Sequence, residues 1–191
     1  MKIKKGNAGY INKRKRDTLL KTILEFGIVI ALLILGYWQT KTRLNMLTFV
    51  AVLGCLPASK AFVELIMIFP HHSIEKNVSD EIESKTHLLT TAFDLVFTSE
   101  KQIMPVDCVV ISGYTVCGYT SSKKTDIPFT VKHIKQILGT NNYSNVSVKI
   151  FDNYTAFLSR AEGWNNIAAV EKTDTKKQEE EIKQIILNIS L

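Results

Sequence analysis

Two apolar runs occupy the first part of the chain, and a polar, patterned stretch follows them. The first run, Thr18–Trp38 (TLLKTILEFGIVIALLILGYW), is long enough as a helix to cross a hydrocarbon core of roughly 30 Å at about 1.5 Å per residue. It ends in Tyr37-Trp38, side chains that suit a membrane interface. The second run covers about residues 44–69 and contains GCLPASKAFVELIMIFP, in which Pro57, Lys60 and Glu64 interrupt the apolar pattern. Only Gln39–Arg43 separates the two runs, so residues 18–70 are expected to form an antiparallel helical hairpin. A basic segment ahead of an apolar run also describes a signal peptide. However, GYWQTKTRLN lacks the small-residue cleavage pattern, and a second run follows at once.

From residue 71 the pattern changes. His71–Asn77 reads as a hinge. Val78–Lys101 carries Ile82, Leu89, Phe93 and Val96 at helical spacing and is read as one helix. PVDCVVIS (105–112) and TVCGYT (115–120) are rich in β-branched residues, and Ser112-Gly113 or Gly113-Tyr114 supplies the hairpin turn. Thr130–Leu138 is an amphipathic helix behind Pro128, and NVSVKIFD (145–152) alternates as a strand does. Tyr154–Ala161 is read as a helix and Asn166–Val170 as a further strand. A last helix has Ile182, Ile185, Ile186 and Ile189 on one face and Asp174 as N-cap. The predicted order in 71–191 is α-β-β-α-β-α-β-α, an α/β or α+β domain around a small mixed sheet.

Charge orients the hairpin. The formal net charge is +6 while mean hydropathy is +0.06, and both averages hide two unlike parts. Lys2, Lys4, Lys5, Lys13, Arg14, Lys15 and Arg16 precede the first run in a basic segment, 1–17; only Lys41 and Arg43 lie between the runs. Lys and Arg favour the cytoplasmic side, so both chain ends are expected there and the protein at the inner (plasma) membrane. Beyond residue 70 there are thirteen Lys/Arg against fifteen Asp/Glu, so the high pI does not speak for a nucleic-acid partner. Folding the hairpin about Lys41 brings Glu25 within a turn of Lys60, and Lys21 within a turn of Glu64. All four then sit roughly 24–35 Å from the loop, at the cytoplasmic edge of the hydrocarbon. Each helix also holds an i,i+4 pair, Lys21/Glu25 and Lys60/Glu64. These four residues read as a charge clamp marking a boundary. Gly54 and Ala58 form a small-xxx-small pair that lets helices approach.

Candidate chemistry in 71–191 is sparse. Cys108 and Cys117 would face one another across a hairpin turning at Ser112-Gly113, a possible thiol pair, although cysteine is also a common core residue. His71, His72, His87 and His133 show no metal-ligand spacing, and there is no P-loop, GxSxG, GxGxxG or HExxH. No metal and no cofactor is expected. Five N-x-S/T sequons, at Asn77, Asn142, Asn145, Asn153 and Asn188, read as accidents of composition on a cytoplasmic domain.

PVDCVVISGYTVCGYTSSKK followed by TVKHIKQIL resembles the centre of the restriction-endonuclease-like fold, closest to the nuclease-related domains attached to bacterial membrane proteins. That pattern is a strand bearing Asp, a glycine turn, then a strand ending in Glu-x-Lys, whose acids hold a divalent metal. Asp107 matches the first acid. Thr120 and Ser122 stand where the Glu and Lys would be, or Ser121 and Lys123 in a shifted register, so the second carboxylate is missing. GCLPASK, SEKQIMPVDCVVISG, TVCGYT and VKIFDNYTAFLSRAEGWNNIAAVEK also resemble a group of small bacterial membrane proteins. Some of these are labelled O-linked N-acetylglucosamine transferase-like, but the chain has no DxD and no glycine-rich loop at a helix start. The expectation is an integral membrane protein whose hairpin, in contact with the bilayer, tethers a non-catalytic cytoplasmic module to a protein partner or homo-oligomer. Three alternatives stand beside it: a divergent nuclease using Asp107, a thiol-redox protein using Cys108 and Cys117, and a small oligomeric channel or transporter accessory built on the charge cluster.

Overall fold

The computed structural model describes residues 3–41, 46–99, 102–171 and 175–191. The chain divides into two compact units: a hairpin unit, Ile11–Pro70, and a head made of Met1–Tyr10 together with His71–Leu191. The head is therefore discontinuous in sequence. Its boundary falls within the basic segment 1–17 rather than at residue 71 alone.

The hairpin unit holds α1 (Tyr10–Thr40) and α2 (Met46–Ile68). Both helices are long and apolar enough to cross a membrane. α1 begins well before Thr18 because KRKRD contains no breaker and its residues favour helix. The start of the second run and part of the connecting loop, residues 42–45, lie outside the described residues. Arg14 reaches Glu64, the rings of Phe26 and Phe62 meet edge to face at 6.2 Å, and a Cβ added at Gly54 would lie 3.2 Å from Val29 Cγ2, so the pairing is antiparallel.

The buried positions follow a heptad rhythm. On α1 they are Ile11, Thr18, Thr22, Val29 and Gly36; on α2 they are Ala51, Ala58, Ala61 and Ile68. Steps of three, four and seven give the repeat of 3.5 that keeps one seam facing a partner helix. The seam of α2 is mostly Ala, with Gly54 between, which lets the backbones approach without large side chains. Thr22 returns its hydroxyl to the Thr18 carbonyl at 2.8 Å, so its polarity is used inside the helix.

The head contains α3 (Lys76–Lys85), β1 (Thr90–Thr98), β2 (Ile103–Ser112), β3 (Thr115–Tyr119), α4 (Ile127–Thr140), β4 (Ser147–Phe151), α5 (Tyr154–Glu171) and α6 (Lys176–Asn188). The sheet is mixed, in order β1-β2-β3-β4, with two antiparallel pairs and a parallel β3–β4 pair joined through α4. α4 and α6 cover one face, packing Ile134, Leu138, Ile182 and Ile186 on Leu95, Phe97, Val109 and Ile150. α3 and α5 cover the other, with Ile82, Phe157 and Ala161 against Phe93, Cys108, Val110 and Cys117. Three layers result, with a core on each side of the sheet.

Two expectations for this part are corrected. Residues 90–98 form β1 rather than the second half of a helix. TTAFDLVFT packs on both faces, so it has no polar alternation, and a continuous buried run cannot be told from a helix by period. Residues 166–170 belong to α5, which runs on through Glu171, and no strand forms there. The observed head order is α-β-β-β-α-β-α-α. The hairpin turns at Gly113-Tyr114, with Ser112 opposite Thr115; Gly113 has φ +53, which a two-residue turn favours at its first central position. α4 is capped by Asp126, whose side chain accepts the Phe129 amide at 3.0 Å. Asp174 lies outside the described residues; Thr175 holds the N-cap position of α6.

Candidate functional site

The residues that could carry chemistry in the head gather where β1, β2 and β3 run side by side. Asp107 leaves β2 half-exposed, and its Oδ2 accepts the Ser121 amide at 2.5 Å, closing the loop after β3. The β2–β3 register pairs Cys108 with Tyr119, which sets Thr120 level with Asp107. Thr120 is buried, and its hydroxyl donates to the Pro105 carbonyl at 2.8 Å while its amide donates to the Phe151 carbonyl at 2.9 Å. The position that holds a metal-binding acid in the nuclease pattern thus carries a hydroxyl already used to tie the end of β3 to β2. Ser122 turns its amide back to Thr120 Oγ1 at 3.2 Å, and Lys123 is exposed. Among the described residues, no group of three or more His, Cys, Asp or Glu side chains is arranged to hold a metal.

Asp94 does not stand out in the sequence pattern, yet it is the one acid within β1 and is buried. The register places it level with Asp107 on the neighbouring strand, between the pairs Phe93–Cys108 and Leu95–Val106. Its φ of +56 is left-handed, a conformation that Asp tolerates better than β-branched residues. The face pattern slips there: Ala92 on one side of Asp94 and Leu95 and Phe97 on the other all reach the same core. Asp94 Oδ1 accepts the Ile74 amide at 2.9 Å, fixing to β1 the segment through which the chain re-enters the head.

The opposite connection is fixed one residue away. The Phe93 amide donates to the Gly6 carbonyl at 2.8 Å, and Lys5 Nζ donates to the Ser190 carbonyl at 2.6 Å. Gly6 has φ +88, a left-handed conformation that glycine adopts without strain, and a Cβ there would press on the Leu187 side chain at 2.9 Å. The Leu191 amide donates to the Val96 carbonyl at 2.8 Å, and Ser190 bridges Phe97. The outer edge of β1 is thus covered by segments from both ends of the chain, which protects an otherwise open edge.

Cys108 and Cys117 lie on the same face but are not directly opposed. The turn at Gly113-Tyr114 pairs Cys108 with Tyr119 and Val110 with Cys117, correcting the facing arrangement expected from the earlier turn. Both thiols are free and buried among Phe157, Leu158 and Ala161. Burial pushes the Cys108 thiol well up, with nearby Cys117 and Asp107 adding to it. Burial pushes Cys117 up to about 12 against the pull of Arg160 and Lys149. Thiols held protonated in this way are poor nucleophiles.

The four charges expected as a clamp are only partly brought together. Lys21 Nζ lies 3.9 Å from Glu25 within α1, whereas Glu64 pairs across the hairpin with Arg14 at 2.7 Å instead of with Lys21. Lys21 precedes seam residue Thr22 by one position, about 100° around the helix, and points away from α2. Lys60 is exposed and makes no ion pair among the described residues. Glu25 falls on the heptad seam and is partly buried.

One further buried acid has a structural role. Glu179 accepts from Thr90 Oγ1 at 2.8 Å, the Gly113 amide at 2.9 Å and Thr175 Oγ1 at 2.9 Å, pinning α6 to the start of β1 and to the β2–β3 turn. A run of EEE in a polar stretch gives no sign of which acid is buried; only the period of Ile182 and Ile186, extended back one turn, points to it.

Compared with protein-family profiles, with curated proteins and with solved structures, the chain shows no match. The resemblances above therefore rest on the quoted residues alone.

Proposed function

We propose that the protein is a membrane-tethered, non-catalytic module. The hairpin crosses the cytoplasmic membrane twice, and the head, on the inner side with both chain ends, acts by binding a protein partner. The observation that carries this reading is the pair of fixations on β1. The segment leading into α1 bonds at Phe93, and the segment returning from α2 bonds at Asp94. A chain that leaves and re-enters one folded unit through adjacent residues of one strand requires an even number of crossings. The excess of Lys and Arg ahead of the first crossing favours the cytoplasmic side for that unit.

The non-catalytic part of the reading is supported by what the reactive groups are already doing. Asp107 holds a loop amide, Thr120 holds two strands, and both head cysteines are buried protonated thiols. The rival reading, a divergent nuclease, draws on Asp94 lying level with Asp107. The full chain in nanodiscs, given duplex DNA and Mg²⁺ or Mn²⁺, separates them. No cleavage above the background of the Asp107→Ala chain is expected. Metal-dependent cleavage that disappears in Asp107→Ala would replace the binding module with the enzyme.

A further inference from the structure

β4 forms the far edge of the sheet, and unlike β1 it has no covering segment among the described residues. The ladder fixes what that edge offers. The Ser147 amide donates to the Tyr114 carbonyl at 2.8 Å, and the Phe151 carbonyl accepts from the Thr120 amide at 2.9 Å. In a parallel ladder the inward residues alternate, so 147, 149 and 151 face β3, while Val148 and Ile150 turn their N–H and C=O outward. Their side chains are buried in the core beneath α4 and α6, so the outward groups are held in place. On the other face Ser147 and Lys149 are exposed. Lys149 Nζ stands 4.9 Å over the Phe151 ring, and Arg160 of α5 lies 5.2 Å over Trp164. Both cations act on Cys117 of β3, so they bias this flank of the edge towards negative charge.

An open edge pairs with another extended chain, and the charge decides which kind. A second copy fits poorly. The antiparallel register that uses both outward residues sets Val148 against Ile150 of the copy and Lys149 directly against its own counterpart, and like charges directly opposite are destabilising. We propose that the outer edge of β4 accepts an extended segment of a partner protein as a fifth strand, with an acidic side chain opposite Lys149. This deepens the protein-binding reading of the head and rests on it.

The test uses the full chain in nanodiscs and three labelled peptides of about seven residues, a typical strand length. One alternates Thr and Val around a central Glu. A second has Lys in its place. The third is the Glu peptide N-methylated at the residues that would bond to β4. The Glu peptide should bind about fivefold more tightly than the Lys peptide, as expected for an opposite-charge against a like-charge cross-strand pair. Lys149→Glu should reverse that order, and N-methylation should abolish binding. Absence of saturable binding by all three peptides overturns the proposal. So does binding indifferent to Lys149→Glu or to N-methylation, which would leave Lys149 as a guard of an unused edge. Quantitative cross-linking of Lys149 to the Lys149 of a second copy by a short amine-reactive reagent, identified by mass spectrometry of the unmutated chain, would assign the edge to a second copy and overturn it too. Peptide failure with no DNA cleavage removes the β4 site but not the binding module, whereas Asp107-dependent cleavage removes the module itself.

Discussion

The hairpin and the head arrange their apolar residues in opposite order. In the hairpin, Ala51, Ala58 and Ala61 are inside while Leu20, Ile23, Leu24 and Ile34 are each more than half exposed. In the head, Phe93, Phe97 and Phe157 are at most 2% exposed, and only a few large apolar residues, such as Ile103, Ile167 and Val170, reach the surface among the described residues. Water would penalise the first arrangement, since so large an apolar surface seeks cover. Lipid does not, because hydrocarbon tails are as apolar as Leu, and helix association then depends on close packing of small residues. The same residue types are thus arranged as two different solvents would require, which supports the proposed crossing by the hairpin.

The sharpest way to break this comparison is to truncate one large apolar residue in each region. Phe97→Ala should cost the head about 3–5 kcal/mol, enough to unfold much of it, read as lost protease resistance in nanodiscs. Ile34→Ala on the exposed side of α1 should leave that resistance unchanged. Equal effects would mean that the exposed face of α1 is covered by protein.

Next in size is Asp94. Asp94→Val places a β-branched residue at φ +56 and removes the acceptor for the Ile74 amide, so a loss of about 3 kcal/mol is expected. Asp94→Asn keeps an acceptor and tolerates the left-handed region, so it should retain most of the stability. Hydrogen exchange at the Ile74 amide provides the local readout: fast exchange in the Val variant, slow in the Asn variant.

A smaller effect should follow from inverting the rule within the hairpin. Ala58→Leu adds bulk to a buried seam position and should weaken helix pairing by about 1–3 kcal/mol. Lys60→Leu, on the exposed side of the same helix, should not. Disulfide trapping between cysteines introduced at Val29 and Gly54 in a Cys55→Ser background measures the pairing.

The mildest prediction concerns pH. Cys117 sits at about 12 in the fold against an ordinary 9.0, so folding favours its protonated form. The head should hold this contribution fully below about pH 9 and lose stability as the pH climbs from there to about 12. In Cys117→Ala that alkaline decline should be shallower in urea melts. At pH 8, a water-soluble thiol reagent should leave both buried head cysteines unmodified in the folded chain and reach them only on unfolding.

How much of this could be read from the chain depends on how many faces each element buries. NVSVKIFD alternates because β4 is buried on one side and exposed on the other. The strands from 105 to 120 are marked by β-branched residues although both their faces are buried, and α6 shows its buried face through Ile182 and Ile186. β1 covers two cores and loses its alternation, and for that reason it reads as helix. The extension of α5 through Asn165, Asn166 and Gly163 runs against local propensity; Asn165 is buried there because its side chain accepts the Leu88 amide at 2.9 Å. Most hidden of all was the membership of residues 3–10 in the head. A short basic stretch gives no sign that Gly6 will bond to Phe93, since the link joins parts of the sequence that lie far apart. For the candidate site, Asp107 and the missing second acid were legible. Asp94 was not, because its place beside Asp107 depends on recognising β1.

The central claim is that the hairpin crosses the membrane twice and leaves the head inside. Cysteines introduced one at a time at Gln39, beside the loop, and at Asn188, at the end of α6, can be exposed in intact cells to a membrane-impermeant maleimide, with Cys55 replaced by Ser and the buried Cys108 and Cys117 alone as the control. The account predicts rapid labelling of Gln39→Cys and labelling of Asn188→Cys only after the membrane is opened. Labelling of Asn188→Cys in intact cells with Gln39→Cys protected would contradict it.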